Sequence, residues 1–156
     1  MLCTSTLPCS GIFDCQKHDR KTSIEKANKM IASFGLSGIE KDKAKTLSGG
    51  WQRRLSIAMA LISEPKMLFL DEPTLGLDVI ARRELWQVIE GLKGKITIIL
   101  TTHYLEEAVA LSDRIGIMAR GELKAAGTAD ELMKQAGMDN FEDAFIKIAG
   151  EGGSGV

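Results

Sequence analysis

Two acidic residues, Asp71 and Glu72, close the apolar run Met67-Leu68-Phe69-Leu70 and are followed at once by Pro73. Four apolar residues ending in carboxylates predict a strand buried on both faces. Its carboxyl end would open onto the crevice where open α/β sheets bind ligands. There Asp71 is placed to hold a Mg²⁺ ion, directly or through water, and Glu72 to polarise an attacking water. Taken alone, the string reads equally as a strand that ends in a turn, because such short patterns arise easily by chance. A second cluster is Leu47-Ser48-Gly49-Gly50-Trp51-Gln52. Paired glycines at a helix start let backbone N–H groups approach a phosphate at the positive end of the helix dipole, and Ser48 adds a hydroxyl donor. An ordinary Ser cap is the alternative. Two glycines in a first turn nevertheless cost on the order of 1 kcal/mol each against Ala, a cost that a purely structural start does not require. Leu75-Gly76-Leu77-Asp78 enters the next helix, and Asp78 is by type a common cap. His103 follows the run Ile96–Thr102. It is either an exposed loop residue or a second polar group delivered to the same sheet edge.

The elements that would position these residues alternate between helix and strand. Thr22-Ser23-Ile24-Glu25 has the form of a capping box, Ile24, Ala27, Ile31 and Phe34 follow at helical spacing, and Gly35 is a natural C-cap. Ser48 can cap a helix with the apolar stripe Leu55, Ala58, Met59 and Ile62, which Pro65 stops. A helix is predicted over 79–92 with Leu85, Val88, Ile89 and Leu92 inward, then a second buried strand over 96–101. A short helix (104–111), a hairpin turning at Ala119-Arg120-Gly121, and a helix capped by Thr128 and Glu131 complete the pattern. The expected fold class is α/β with a mostly parallel sheet.

Composition narrows the possible functions. The 156 residues are 44% apolar and 26% charged with a net charge of −1, the balance of a globular chain. No apolar run approaches the roughly 18 residues that span a bilayer, and no secretory signal is evident. The pairs Arg53-Arg54 and Arg82-Arg83 fall in helical patterns and read as solvated faces, so no nucleic-acid partner is expected. Cys3, Cys9, Cys15 and His18 have the ligand types of a zinc site, but their spacing matches no familiar knuckle, and free thiols are the simpler reading.

In order and spacing these pieces resemble the ATPase domain of ABC transporters. Leu47–Gln52 is similar to the family signature, Met67–Glu72 to its Walker B strand, Leu75–Asp78 to its D-loop and Thr102-His103 to its switch histidine. Leu111-Ser112-Asp113-Arg114-Ile115 and Gly121-Glu122-Leu123 with Gly127-Thr128 resemble the stretch that closes the domain. Glu106-Glu107-Ala108 and Phe141–Phe145 look most like drug-, sodium- or antibiotic-exporter ATPases. Trp51 departs from the commonest signature, which has Gln there, and no nucleotide contact is assigned to it.

The resemblance implies an incomplete P-loop NTPase-type domain over residues 22–137, with helical-subdomain (22–64) and catalytic-core (65–137) parts. An irregular segment (1–21) would precede it, and a helix with a flexible tail (138–156) would follow. It implies ATP and Mg²⁺ as cofactors, a head-to-tail dimer with a second ABC ATPase domain, and a transmembrane permease partner at the cytoplasmic face of a membrane. In that scheme Asp71 holds Mg²⁺, Glu72 is the base, and His103 contacts the γ-phosphate. Ser48, Gly49 and Gly50 reach the partner's nucleotide, and Asp78 joins the two sites. A phosphate loop requires Gly-x-x-x-x-Gly-Lys-Ser/Thr. The only Gly-Lys pair is Gly94-Lys95, with Ile89 and Ile96 at the flanking positions, so the isolated chain is expected to be inactive. Two alternatives stand beside the transporter reading: a non-transport ABC ATPase, and a non-catalytic remnant or interaction module.

Overall fold

The computed structural model describes residues 20–150, so the three cysteines, His18 and the Gly-rich tail beyond residue 150 lie outside the described residues. These residues form two units, 20–101 and 102–150.

The first unit contains α1 (Arg20–Ser33), a 3-10 turn (Ala44–Thr46), α2 (Gly49–Leu61), β1 (Met67–Asp71), α3 (Val79–Glu90) and β2 (Thr97–Thr101). α1 already runs through Thr22 and Glu25, so the expected capping box lies inside the helix rather than at its start. Its other end is as expected. Gly35 takes φ 63° and the Leu36 N–H reaches back to the Ile31 carbonyl at 2.8 Å, a Schellman closure. In α2 the buried stripe is Gly50, Ile57, Ala58 and Leu61, not the expected set, and Met59 is 64% exposed. The helix is rotated because Gly50 has no side chain to hold its backbone away from α3. An ideal Cβ on Gly50 would lie 3.1 Å from the Cβ of Ala81. α3 buries Leu85 and Ile89, as its spacing requires. Arg54 is also not a solvated residue. It pairs with Glu84 of α3, and its guanidinium carbon lies 5.4 Å from the centre of the Trp51 ring.

β1 and β2 pair in parallel in the register Met67↔Thr97 to Asp71↔Thr101. The expectation that β1 is buried on both faces is not met. Leu68 and Leu70 are buried, whereas Met67 and Phe69 face outward, with Phe69 69% exposed. β2 likewise alternates between exposed and half-buried residues. A parallel pair acquires two dry faces only when helices cover both, and among the described residues this pair is covered on one.

The second unit contains α4 (Leu105–Leu111), β3 (Ile115–Ala119), β4 (Glu122–Gly127), α5 (Ala129–Ala136) and α6 (Phe141–Gly150). β3 and β4 form an antiparallel hairpin. Its turn places Arg120 and Gly121 at φ 54° and 80°, the twist that matches paired strands. Thr128 and Glu131 form the expected capping box. Ile115, Ile117, Ala125, Leu132, Phe141, Ala144 and Ile148 make a closed core.

Candidate functional site

The acidic pair sits where a parallel strand ends. Asp71 is the last residue of β1 and is exposed. The Thr101 hydroxyl, its partner in register on β2, donates to Asp71 Oδ1. That bond fixes the carboxylate. An oxygen ligand of this kind suits Mg²⁺, which binds through one or two carboxylates together with substrate phosphates. No group of three or more His, Cys, Asp or Glu placed to hold a metal ion occurs among the described residues.

Glu72 departs from strand geometry. Its φ is 43°, in the left-handed region that costs an L-residue roughly 1–2 kcal/mol. The conformation is held by its N–H, which donates to the Thr101 carbonyl at 2.9 Å, and by its own carbonyl, which accepts from Leu75 N–H at 3.1 Å. A second turn follows, with Leu77 N–H donating to the Thr74 carbonyl at 3.1 Å. The side chain of Thr74 is fully buried, and its hydroxyl has no hydrogen-bond partner. Strained backbone that the surroundings hold in place is characteristic of functional sites.

The same unit carries the glycine cluster. Ser48 occupies the N-cap position of α2, yet its hydroxyl makes no capping bond, contrary to the role the sequence suggests. Ser48 and Gly49 are exposed and Gly50 is buried. The first turn therefore presents unpaired backbone donors beside a free hydroxyl. The glycines also have a packing reason: a Cβ on Gly49 would lie 3.3 Å from Leu77 Cδ2, and one on Gly50 would meet Ala81. The structural reading of these glycines and the phosphate-binding one are compatible. A groove of about 290 Å³ separates Gly49, Gln52, Arg53 and Ser56 from the loop Leu75–Leu77. Beyond that loop Asp78 acts as a cap, its Oδ1 accepting from Ile80 and Ala81 N–H at 2.9 Å each. Its helix-cap reading is thus realised.

His103 lies in the other unit, two residues beyond the end of β2 in the chain, and is exposed. Its ring lies 4.1 Å from that of Tyr104 at an interplanar angle of 38°. The Thr102 hydroxyl accepts from Tyr104 N–H at 3.0 Å, shaping the turn into α4. Asp71, Glu72, Ser48, Gly49, Gly50 and Asp78 all fall in unit 20–101. Sequence reasoning missed Thr101, which the register of two strands ending together would have indicated, and Thr74, which had no signal beyond its place in a turn.

The ABC transporter family profile matches residues 6–75, beginning ahead of the residue-22 boundary that the sequence suggested. ABC transporter A family member 11 of Arabidopsis thaliana is 52% identical over 71% of this chain and 12% of its own length. The daunorubicin resistance ATP-binding protein DrrA3 of Streptomyces coeruleorubidus is 43% identical over 84% of this chain and 42% of its own. Human phospholipid-transporting ATPase ABCA3 is 43% identical over 76% of this chain and 7% of its own. The chain therefore spans less than half the length of each of these relatives. Among solved structures, MJ1267, an ATP-binding cassette of an ABC transporter, superposes with a TM-score of 0.70 at 29% identity, covering 85% of this chain and 51% of that one. A nucleotide-free ATP-binding cassette gives a TM-score of 0.68 at 29% identity, covering 75% and 47%. By these matches in sequence and in fold, the chain belongs to the ATP-binding domain family of ABC transporters.

Proposed function

We propose that these residues are the C-terminal portion of an ATP-hydrolysing subunit that couples ATP turnover to transport across a membrane. In this reading the chain supplies one half of a composite site. The observation that carries it is the first turn of α2: Ser48 stands at the N-cap with its hydroxyl unused, next to exposed Gly49, while residues 1–156 contain no Gly-x-x-x-x-Gly-Lys-Ser/Thr. Donors are present for a nucleotide that the chain has no loop to grip. That nucleotide would be held by a second ATP-binding domain in head-to-tail contact, and a membrane-embedded permease would receive the movement. No helix among the described residues is long and apolar enough to cross a membrane.

Within the complete domain, Asp71 would hold Mg²⁺, which supplies charge neutralisation on the phosphates. Glu72 would hold and deprotonate the attacking water, its carboxylate aimed by the left-handed backbone. His103 would contact the terminal phosphate, and Asp78 would stiffen the loop between the two sites through its cap. The parts 22–64 and 65–137 correspond in this proposal to the helical and catalytic subdomains.

The test mixes this chain with a complete ATP-binding domain of the same transporter whose own signature serine is disabled. ATP hydrolysis by the mixture is expected above that of either component. Ser48→Arg in this chain should abolish the gain, because a bulky cation blocks donors worth up to about 4 kcal/mol in a dry site. Glu72→Gln should leave it nearly intact, since the base would come from the partner. The reverse pattern would overturn the assignment of roles.

A further inference from the structure

We infer that Arg54, clamped between Trp51 and Glu84, is a positioning residue that sets the angle at which the first turn of α2 stands against α3. The inference rests on the composite-site reading and deepens it, because that turn carries Ser48 and Gly49. It also gives a role to Trp51, the residue at which this chain departs from the commonest signature.

α2 and α3 meet at successive points that advance in the same direction along both helices. A Cβ on Gly49 would lie 3.3 Å from Leu77 Cδ2, and one on Gly50 would lie 3.1 Å from Ala81 Cβ. A turn further on, Arg54 Nη2 pairs with Glu84 Oε2. The helices therefore run side by side with their first turns at the same end. Contact at Gly50 and Ala81 alone leaves α2 free to pivot, because a glycine has no side chain to interlock with the facing ridge. The ion pair one turn away removes that freedom.

The guanidinium is gripped from several sides. Nη2 meets Glu84, Nη1 lies 3.4 Å from where a Cβ on Gly35 would stand, and the guanidinium carbon lies 5.4 Å from the centre of the Trp51 ring. Gly35 is the left-handed residue that closes α1, so the same group also packs on the end of that helix. Trp51 and Arg54 share one face of α2 by their spacing, and a cation within about 6 Å of an aromatic centroid is drawn to the ring. The Arg54 side chain is only 12% exposed, and its Nε is buried without a hydrogen-bond partner. A guanidinium that gives up one hydrogen bond and most of its hydration is held by its neighbours rather than by water. Lysine could not replace it, because an ammonium has neither the planar fork nor the flat face.

Trp51 belongs to the same turn as Gly49 and Gly50. The stack thus ties the turn to Arg54, and Arg54 ties it to α3. Donors that complete a site on another subunit must meet the phosphate to within a fraction of an ångström. A small pivot of this turn is therefore felt in the rate of reaction rather than in how firmly the other subunit grips ATP.

The test has two arms. In the first, the full 156-residue chain carries fluorine-labelled tryptophan, so that Trp51 and Trp86 give separate fluorine NMR signals, assigned with Trp51→Phe. No ATP or partner is added. Glu84→Gln should move the Trp51 signal, although Glu84 lies on the other helix, and Glu90→Gln, an exposed acid later in α3, should leave it in place. In the second arm the chain is mixed with the complete ATP-binding domain whose signature serine is disabled. Glu84→Gln and Trp51→Leu should each lower the maximal rate of the mixture about tenfold, with KM for ATP unchanged. Trp51→Phe, which keeps a ring face for the cation, should retain most of that rate. Helical circular dichroism checks that each variant is folded. Should Glu84→Gln fail to fold, Arg54→Lys, which keeps the charge without the planar fork, is expected to give the same result in both arms. An unmoved Trp51 signal, a maximal rate unaffected by loss of the pair, a rise in KM alone, or equal loss in Trp51→Phe and Trp51→Leu would each overturn the proposal. Absence of hydrolysis from the unsubstituted mixture would instead fail the composite-site reading, and the fluorine signal, read without ATP, would then decide the clamp by itself.

Discussion

Glu72 has a conformation that its residue type disfavours. A left-handed φ of 43° turns the chain out of β1. Glu72→Gly should therefore stabilise the chain by about 1 kcal/mol in urea unfolding, because glycine tolerates that φ, whereas Glu72→Ala should not. Equal midpoints for the two variants would mean that the backbone is unstrained. Asp78 gives the opposite case. Removing its cap with Asp78→Ala should cost about 1 kcal/mol, and Asp78→Ser should recover most of it. At this scale the sequence carried positions well: Asp71 ends a strand, Glu72 follows it and Asp78 caps a helix, because each signal is local. The strain at Glu72 and the idle hydroxyl of Ser48 were not legible. The first is held by the bond from the Glu72 N–H to the Thr101 carbonyl of another strand, distant in the chain, and the second has no local sequence signal.

The junction of α2 with α3 shows why element faces were harder to read than element positions. Counting apolar residues selected Leu55, Met59 and Ile62 for the inner face of α2, but a helix can approach another most closely where it has no side chain. Gly50 against Ala81 sets the rotation, and Ile57 and Leu61 follow it inward. Hydrophobic periodicity does not register a glycine contact. Gly50→Ala should destabilise the chain despite the better helix propensity of Ala, because the Cβ 3.1 Å away belongs to the body of α3 rather than to a flexible side-chain end. Ala81→Gly in the same chain should relieve the contact, giving a coupling of about 1 kcal/mol in a double-mutant cycle of unfolding free energies. Additive effects would show that the helices slide freely. β1 was misread for a related reason. Its uninterrupted apolar run records a strand meant to be covered twice, and the described residues supply one cover.

Taken as a whole, the chain divides its stability unevenly. Unit 102–150 closes a core of its own around Ile117, Leu132 and Ala144, with a capped α5 and a paired hairpin. Unit 20–101 leaves Met67 and Phe69 of its parallel pair exposed. Apolar surface left bare on a sheet with open edges drives association. Phe69→Lys is therefore expected to lower self-association in sedimentation and to reduce the binding of dyes that report apolar surface, without loss of helical signal. Unchanged association would place the sticky surface elsewhere. The same imbalance predicts how the protein opens. Local opening free energies follow buried contacts and paired backbone, and need not be equal across a chain. Amides of β3, β4, α5 and α6 should outlast those of β1 and β2 in native-state exchange by about two orders of magnitude, with denaturant removing protection from unit 20–101 first. Unfolding followed by the fluorescence of Trp51 and Trp86, both in that unit, should then precede the loss of the remaining helical signal. Coincident transitions by the two probes would show one cooperative body, because a two-state protein loses all its signals together.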